Sequence, residues 1–309
     1  MINKALILTC SLLISQLLFA QKEFRVTKVD EIKGISSGSH PVFIRNTDNI
    51  VYSSLTNNGL YLYDAKEQTT KTLNADNGAG FQFQLSENGE TIVYKSYIMD
   101  KTGRRQSSIY EQDIATGNKK AIIENTRHLG AVSYQHGNLL YMQNGLVKIH
   151  TMKSTTLDNK LTTAVFTDID LNLILLKDNK KIVLNPLGKG NYIWVSLSPD
   201  RKRILFNKTG KGTFVCNLKG EIIADLGRLH AAKWTDDGNW VIGMNDFDDG
   251  QQYTASQIVL SSADGKTRQS LELKYQKIAL FPDISSDYSK IVFNDEKGKL
   301  YIIDLEKND

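Results

Sequence analysis

Cysteine is almost absent from this sequence, and with it the crosslinks that cysteine provides. Only Cys10 and Cys216 occur in 309 residues. Cys10 lies inside an apolar amino-terminal stretch, so Cys216 is alone in the remainder, which excludes a disulfide framework and a zinc site built from cysteines. Because Phe214 and Val215 precede Cys216, we predict a buried and unreactive thiol.

An excess of one charge sign is also missing. The chain has 38 basic and 34 acidic side chains, a net charge of +4 at pH 7. Spread over this length, that balance excludes a nucleic-acid-binding surface that depends on charge alone, and we predict no nucleic acid partner. Capped amphipathic stretches of about ten residues are lacking after residue 21, so helices should be nearly absent.

One long apolar run is present, at the amino terminus. It extends from Ala5 to Phe19, with Lys4 before it and Ala20 and the polar Gln21 after it. This layout is typical of a secretory signal peptide, here residues 1–20 with cleavage after Ala20. The run is shorter than the about 20 residues of a membrane span. We therefore expect a secreted or periplasmic protein without a stable membrane span once the signal is removed.

Short apolar strands recur along the rest of the chain, each after a polar turn. We take their central residues as anchors: Val51, Val93, Leu140, Ile174, Leu205, Val241 and Val292. Their spacing scatters around ~40–45 residues, the period of a four-stranded propeller blade. A second strand follows each anchor, as in Leu60–Asp64 and Lys299–Leu305, and the alternation of apolar and polar residues there is typical of half-buried strands.

A turn of constant chemistry precedes four of these anchors. The four copies read Ser198-Pro199-Asp200-Arg201, Ser86-Glu87-Asn88-Gly89, Thr235-Asp236-Asp237-Gly238 and Ser285-Ser286-Asp287-Tyr288. Serine or threonine caps such a turn, aspartate or asparagine suits its third position, and glycine tolerates the fourth. The set resembles the Ser-Pro-Asp-Gly repeats of the TolB-like, WD-like β-propeller family over roughly residues 40–305. Arg201 and Tyr288 depart from it by replacing the glycine.

The repeats predict an all-β fold, a single β-propeller domain over residues 21–309 with seven four-stranded blades. Six blades are the alternative, which the resemblance to the TolB propeller implies. Counting an inner strand at Ala279–Ile284, the last repeat supplies only three strands, while Phe24–Val29 alternates as a strand ahead of the first. We expect this amino-terminal strand to complete the last blade and close the ring, because closure hides two open edges.

A serine motif and a set of histidines contain residue types that could form chemical sites. Gly34-Ile35-Ser36-Ser37-Gly38 matches a nucleophile elbow, but no helix can follow it, so we interpret it as a chance match. His40, His128 and His230 lie eleven or twelve residues before their anchors. They are expected at one mouth of the central channel, either as a converging set for a metal or acid–base chemistry or as separate structural histidines.

An acidic hairpin and aromatic residues beside the inner strands are further candidates for a binding site. Asp246, Asp248 and Asp249 could supply oxygen ligands to Ca²⁺, but the spacing of a known calcium loop is absent, and a solvated hairpin is the simpler interpretation. Trp194 and Trp234 are expected to pack between blades or to form part of a binding surface at the channel mouth. We predict no catalytic residue, no resident metal and no cofactor.

The leading functional hypothesis is a monomeric, non-catalytic propeller that binds a protein partner in the cell envelope. It depends on the lack of a convincing nucleophile–base pair or cofactor loop, and on the protein–protein interaction that the TolB-like resemblance implies. Two alternatives remain. One is a carbohydrate lyase or hydrolase that uses His40, His128 and His230 with a metal, and the other is a binder of glycans or small ligands that uses the aromatic residues at the same mouth.

Overall fold

Seven antiparallel β-sheets make up the described part of the chain. The computed structural model describes residues 23–135, 137–152, 163–178, 180–274 and 278–308. All regular elements within these ranges are strands. The predicted signal peptide, residues 1–20, lies outside them. No helix of the described residues is long and apolar enough to cross a membrane.

The seven sheets are the blades of the ring, which we number I to VII by their innermost strands. These innermost strands are β2 (Ser39–Phe43), β6 (Gln84–Leu85), β10 (Leu129–Gln135), β13 (Thr163–Thr167), β16 (Tyr192–Leu197), β20 (His230–Trp234) and β24 (Leu280–Ile284). The second strands are β3 (Ile50–Ser53), β7 (Thr91–Met99), β11 (Asn138–Gln143), β14 (Leu173–Lys177), β17 (Arg203–Lys208), β21 (Trp240–Asp248) and β25 (Lys290–Asn294). They contain the anchors predicted from the sequence.

Third and fourth strands follow in the same order. The third strands are β4 (Leu60–Asp64), β8 (Arg105–Asp113), β12 (Leu146–Thr151), β15 (Lys180–Val183), β18 (Gly212–Asn217), β22 (Tyr253–Ser262) and β26 (Leu300–Lys307). The outermost strands are β5 (Thr69–Asn74), β9 (Lys119–Thr126), β19 (Ile222–Gly227), β23 (Arg268–Ser270) and, in blade VII, β1 (Phe24–Glu31). Blades III and IV have three strands within the described residues. The all-β, seven-bladed propeller is thereby confirmed, and the six-bladed alternative is wrong.

The hydrophobic core lies between neighbouring blades. Ile258 and Leu260 of blade VI, for example, pack with Phe293 and Ile303 of blade VII, and all four side chains are fully buried. Alternate residues of each strand point to opposite faces of the sheet. Each face that packs against a neighbouring blade therefore needs its own set of apolar residues. Cys216 belongs to such a cluster between blades IV and V, where burial raises the pKa of its thiol to about 12.

The amino-terminal strand closes the ring as predicted. Strand β1 pairs antiparallel with β26, the last strand of the chain. Phe24 is 1% exposed and meets the edge of the Trp240 ring in blade VI, with 4.9 Å between ring centroids. Its backbone N–H donates to Oε1 of Gln269 at 3.0 Å, and the Gln269 amide donates back to the Phe24 carbonyl. These contacts hold the first strand against two blades at once.

The four predicted turns share one hydrogen-bond pattern. In each turn the hydroxyl of the first residue accepts the backbone N–H of the residue five positions later, at 2.9 Å in Ser198, Ser86 and Ser285 and at 3.1 Å in Thr235. The fourth residue has a left-handed backbone in every copy, including Arg201 at φ 58° and Tyr288 at φ 63°. Two non-glycine residues therefore adopt the conformation that glycine adopts in the other copies.

Candidate functional site

The innermost strands bulge near the points where they begin. In blades I, V, VI and VII the register with the second strand shifts there, and one residue in each bulge has a left-handed backbone. These residues are His40 (φ 52°), Trp194 (φ 49°), Ala231 (φ 47°) and Phe281 (φ 51°). Gln82, at φ 57°, has the corresponding place ahead of β6 in blade II. Bulges redirect side chains, and we call this set the channel mouth.

His40 and Phe281 join blades I and VII at the channel mouth. Their rings are stacked, with 3.8 Å between centroids and 25° between planes. The backbone N–H of His40 donates to Oδ1 of Asn294 at 3.1 Å, and Nδ1 lies 2.9 Å from Oγ of Ser39. Burial, together with the nearby positive charge of Lys233, lowers the pKa of His40 to about 4. The imidazole is therefore neutral near pH 7.

A lysine–aspartate pair links three blades beside this stack. Nζ of Lys233 in blade VI lies 3.1 Å from Oδ1 of Asp283 in blade VII. The other carboxylate oxygen accepts the backbone N–H of Phe43 in blade I at 2.9 Å. A single carboxylate thus fixes the relative positions of blades VI, VII and I, and the Lys233 ammonium is held beside His40.

The third feature is a histidine–carboxylate pair against an exposed indole. Nδ1 of His230 lies 2.7 Å from Oδ1 of Asp246, a carboxylate that is only 4% exposed. The contact is close but lacks the alignment of a directed hydrogen bond. The His230 ring also meets that of Trp194 in blade V, with centroids 5.4 Å apart, and Trp194 remains 39% exposed. An aromatic surface and a polar ring nitrogen are thus placed together where a ligand could reach them.

The three predicted histidines do not converge. His40 is the residue with the left-handed backbone in its bulge. In blade VI that residue is Ala231, and His230 precedes it and pairs with Met244 of the second strand. His128 precedes β10 entirely and is exposed, and its carbonyl accepts the backbone N–H of Asn144 at 3.1 Å. The spacing from the anchors predicted equivalent positions for the three histidines. Spacing alone cannot show where a bulge adds a residue to a strand, and that extra residue changes which positions correspond. The register therefore shows that His40 and His230 occupy different positions in their bulges.

The other predicted site residues are also separated. Trp234 packs between blades V and VI, with the Arg203 guanidinium 5.3 Å from its ring. Asp246 faces His230, while a register shift after Phe247 breaks the alternation toward Asp248. Asp248 and Asp249 accept backbone N–H groups of their own turn. Within the described residues, no group of three His, Cys, Asp or Glu side chains is arranged to hold a metal ion.

Two long hairpins project from the face of the ring on which the innermost strands begin. The second strands β7 and β21 have nine residues each, against four to six in the other blades. Three additional residues extend a strand by about 10 Å. In every blade the second strand runs antiparallel to the innermost strand, so the turn between the second and third strands lies on this face of the ring. The long hairpins β7–β8 of blade II and β21–β22 of blade VI therefore project from the same face. We call it the hairpin face.

Large apolar side chains are exposed at both hairpin tips. Ile98 and Met99 on β7 are 54% and 58% exposed, and Phe247 on β21 is 44% exposed. Lys101, Arg104 and Arg105 make the tip in blade II basic, and Asp248 and Asp249 make that in blade VI acidic. The sequence pattern predicted the acidic hairpin of blade VI but not the exposed apolar residues at the two tips. The sequence does contain a sign of the long hairpins, because the two longest intervals between anchors begin at Val93 and Val241.

Comparisons with known proteins extend only to the fold. No family model matches the chain, and no curated protein matches it. A chain in the crystal structure of the mitotic checkpoint complex is similar over 98% of this chain and 99% of its own length, with a TM-score of 0.63 and 11% identity.

Two oligogalacturonate lyase structures are also similar in outline. One is in complex with manganese and has a TM-score of 0.48, and the other, from Vibrio parahaemolyticus, has a TM-score of 0.49. Each is 11% identical; they match 89% and 88% of this chain and 79% of their own lengths. At 11% identity the match to the checkpoint-complex chain concerns architecture alone. Together with the seven sheets described above, it shows that this chain has the fold of a seven-bladed β-propeller.

Proposed function

We propose that this protein is a secreted or periplasmic, TolB-like propeller that acts as a non-catalytic protein-interaction scaffold in the cell envelope. The observation that carries the proposal is the hairpin face, where two projecting hairpins present exposed Ile98, Met99 and Phe247. Apolar residues at the ends of projecting elements contribute little to folding and are typical of protein contact surfaces.

The envelope location and the TolB-like affiliation rest on other features. The apolar run from Ala5 to Phe19 has the layout of a signal peptide. In all four turns a backbone N–H donates a hydrogen bond to the hydroxyl of the first residue, and this shared bond supports a repeat of the Ser-Pro-Asp-Gly type. Opposite charges at the two tips would orient a partner that spans the ring, because complementary charge selects orientation more than it adds affinity.

Site-specific photocrosslinking tests the scaffold proposal. A photoreactive amino acid replaces Ile98 or Phe247 in the full chain, and Ile222 on the outermost strand of blade V, 42% exposed, is the matched control. We expect both tips to give an adduct with one and the same protein, and Ile222 to give none. Purified partner should then bind Ile98→Asp and Phe247→Asp variants at least roughly tenfold more weakly. Equal crosslinking from Ile222, or none from either tip, would count against the proposal.

A small-ligand or glycan binder is the second candidate, favoured by the exposed Trp194 ring beside His230 and the buried Asp246. An indole face with a nearby polar group suits a sugar ring. Titration of neutral oligosaccharides against tryptophan fluorescence tests it, with Trp194→Phe as the variant and Trp234→Phe as the control. A saturable change that Trp194→Phe removes and Trp234→Phe keeps would favour this function over the scaffold.

A further inference from the structure

The outer edge of blade IV is open in the described structure. Strand β15 pairs with β14 on one side only, from Lys177 opposite Lys180 to Ile174 opposite Val183. All four residues of β15 are exposed. In blade V, by contrast, the outermost strand β19 covers the corresponding edge of β18. An open edge offers unpaired backbone N–H and C=O groups, which can pair with another strand.

Exposed apolar residues gather at one end of this blade. Ile182 and Val183 on β15 are 40% and 55% exposed, and Ile169 and Leu171, in the turn before β14, are 81% and 41% exposed. Val183 pairs with Ile174 near the start of β14, so the edge residues and the turn lie at the same end of the blade. Of the seven blades, this one exposes the most large apolar side chains among the described residues.

Positive charge marks the other end of the same edge. Lys177 and Lys180 are directly opposite each other, and Lys181 follows. None of the three makes an ion pair within the described residues. Like charges opposite each other destabilise a sheet. Lysines on an open edge also discourage edge-to-edge pairing, and an antiparallel second copy of β15 would place Val183 and Ile182, with no acidic group, beside Lys180 and Lys181.

These three observations specify the occupant of the edge. We propose that β15 binds an extended segment of a partner protein as a fourth, antiparallel strand, and that this segment is apolar in its amino-terminal half and acidic in its carboxyl-terminal half. Antiparallel addition places the apolar half beside Ile182 and Val183 and the acidic half beside Lys181 and Lys180. Backbone hydrogen bonds would supply affinity and the side chains selectivity, as in other cases of strand addition. The edge runs along the outer rim of blade IV, with its lysine end toward the hairpin face. It contains neither hairpin tip of blades II and VI, so the proposal does not depend on the partner that docks on those tips.

A synthetic peptide tests this assignment directly. The probe is a fluorescein-labelled peptide of about eight residues with valines and threonines first and three glutamates last, and a scrambled peptide of the same composition is the control. We expect saturable binding by fluorescence anisotropy that weakens as salt increases, together with slower amide hydrogen exchange at Lys180–Val183. Absence of saturable binding, or binding without added protection of β15, would overturn the proposal.

Charge reversal adds a matched pair of variants. The double variant Lys180→Glu, Lys181→Glu should bind the acidic peptide at least roughly tenfold more weakly than the wild type does. A second peptide, with lysines in place of the glutamates, should bind this double variant better than it binds the wild type. Lys202→Glu with Lys219→Glu changes the net charge equally on blade V and should leave affinity unaltered. Equal losses in both double variants would reduce the effect to overall charge. A dimer that forms without peptide and dissociates on Lys180→Glu would assign the edge to a second copy instead; both outcomes overturn the proposal.

Discussion

The hydroxyl of Tyr288 in blade VII donates a hydrogen bond of 2.6 Å to the carboxylate of Asp237 in blade VI. Both residues belong to copies of the same repeated turn. Tyr288 occupies the position of the turn glycine, and its side chain reaches back to the preceding copy. Burial alone would raise the pKa of Asp237, but hydrogen bonds from Tyr288, Asn239 and Thr235 together lower it.

Replacing Tyr288 with Phe should destabilise the propeller by about 1 kcal/mol at pH 7, because it removes a hydrogen bond to an exposed carboxylate. The lowered pKa of Asp237 means that this contribution is present above pH ~4 and is lost as the pH falls and Asp237 takes up a proton. Urea unfolding at pH 7 and pH 3.5 should show a smaller difference in stability between the two proteins at the lower pH. Tyr61→Phe is the control, and an equal loss there would contradict the assignment.

Replacing Phe24 with Ala should destabilise the protein by about 3–5 kcal/mol, the usual cost of emptying a buried aromatic site. Its ring contacts Trp240 and Tyr288, on two different blades. Lys28→Ala, on the same strand with a side chain 62% exposed, should leave stability almost unchanged. Denaturant unfolding of both variants measures the difference. Similar midpoints would show that β1 is dispensable for closure.

Acidification should destabilise the protein through His40. Because its pKa is about 4 in the folded protein and ~6.5 in the unfolded chain, the unfolded state binds more protons between these values. The stabilisation is therefore complete above pH ~6.5 and declines toward pH ~4, by roughly 1–2 kcal/mol at pH 5. His40→Asn should flatten this dependence, since asparagine tolerates the left-handed backbone.

The matched control for His40 is Gln82→Asn, at the corresponding bulge position of blade II. Urea unfolding at pH 7.5 and pH 5 should show the wild-type loss in this variant and a smaller loss in His40→Asn. An unchanged pH dependence in His40→Asn would exclude the imidazole as its source.

Divalent ions should leave the midpoint of thermal unfolding of the protein unchanged. Asp248 accepts the N–H of Gly250, and Asp249 accepts those of Gln251 and Gln252, all at 2.9 Å. These bonds direct one oxygen of each carboxylate, Oδ1, toward the backbone of its own turn instead of toward a shared site. Melting curves in EDTA and in excess Ca²⁺, Mn²⁺ or Zn²⁺ test this. An ion-dependent rise lost in Asp248→Ala would indicate a calcium site, and one lost in His230→Ala a metal at the channel mouth.

The sequence was sufficient for the architecture because repetition averages out local ambiguity. Val51, Val241 and Val292 each give a weak strand signal, but their common period and the turns before them specify blades. The site was less predictable. A left-handed backbone at His40, Trp194 or Phe281 has no marker in residue type. Pairing of His230 with Asp246 depends on register between two strands, which counting along the chain cannot provide.

The pairing of the first strand with the last also dictates an order of events. Blade VII needs Phe24–Glu31 and Leu300–Lys307 together, so a growing chain can form the other six blades locally but cannot close the ring until Leu300–Lys307 has been made. The backbone N–H of Asn308 donates to the Glu23 carbonyl at 2.9 Å, which places the two ends of the folded region side by side. Joining them with a short linker and opening the chain at another loop should therefore give a circularly permuted propeller that closes within a different blade.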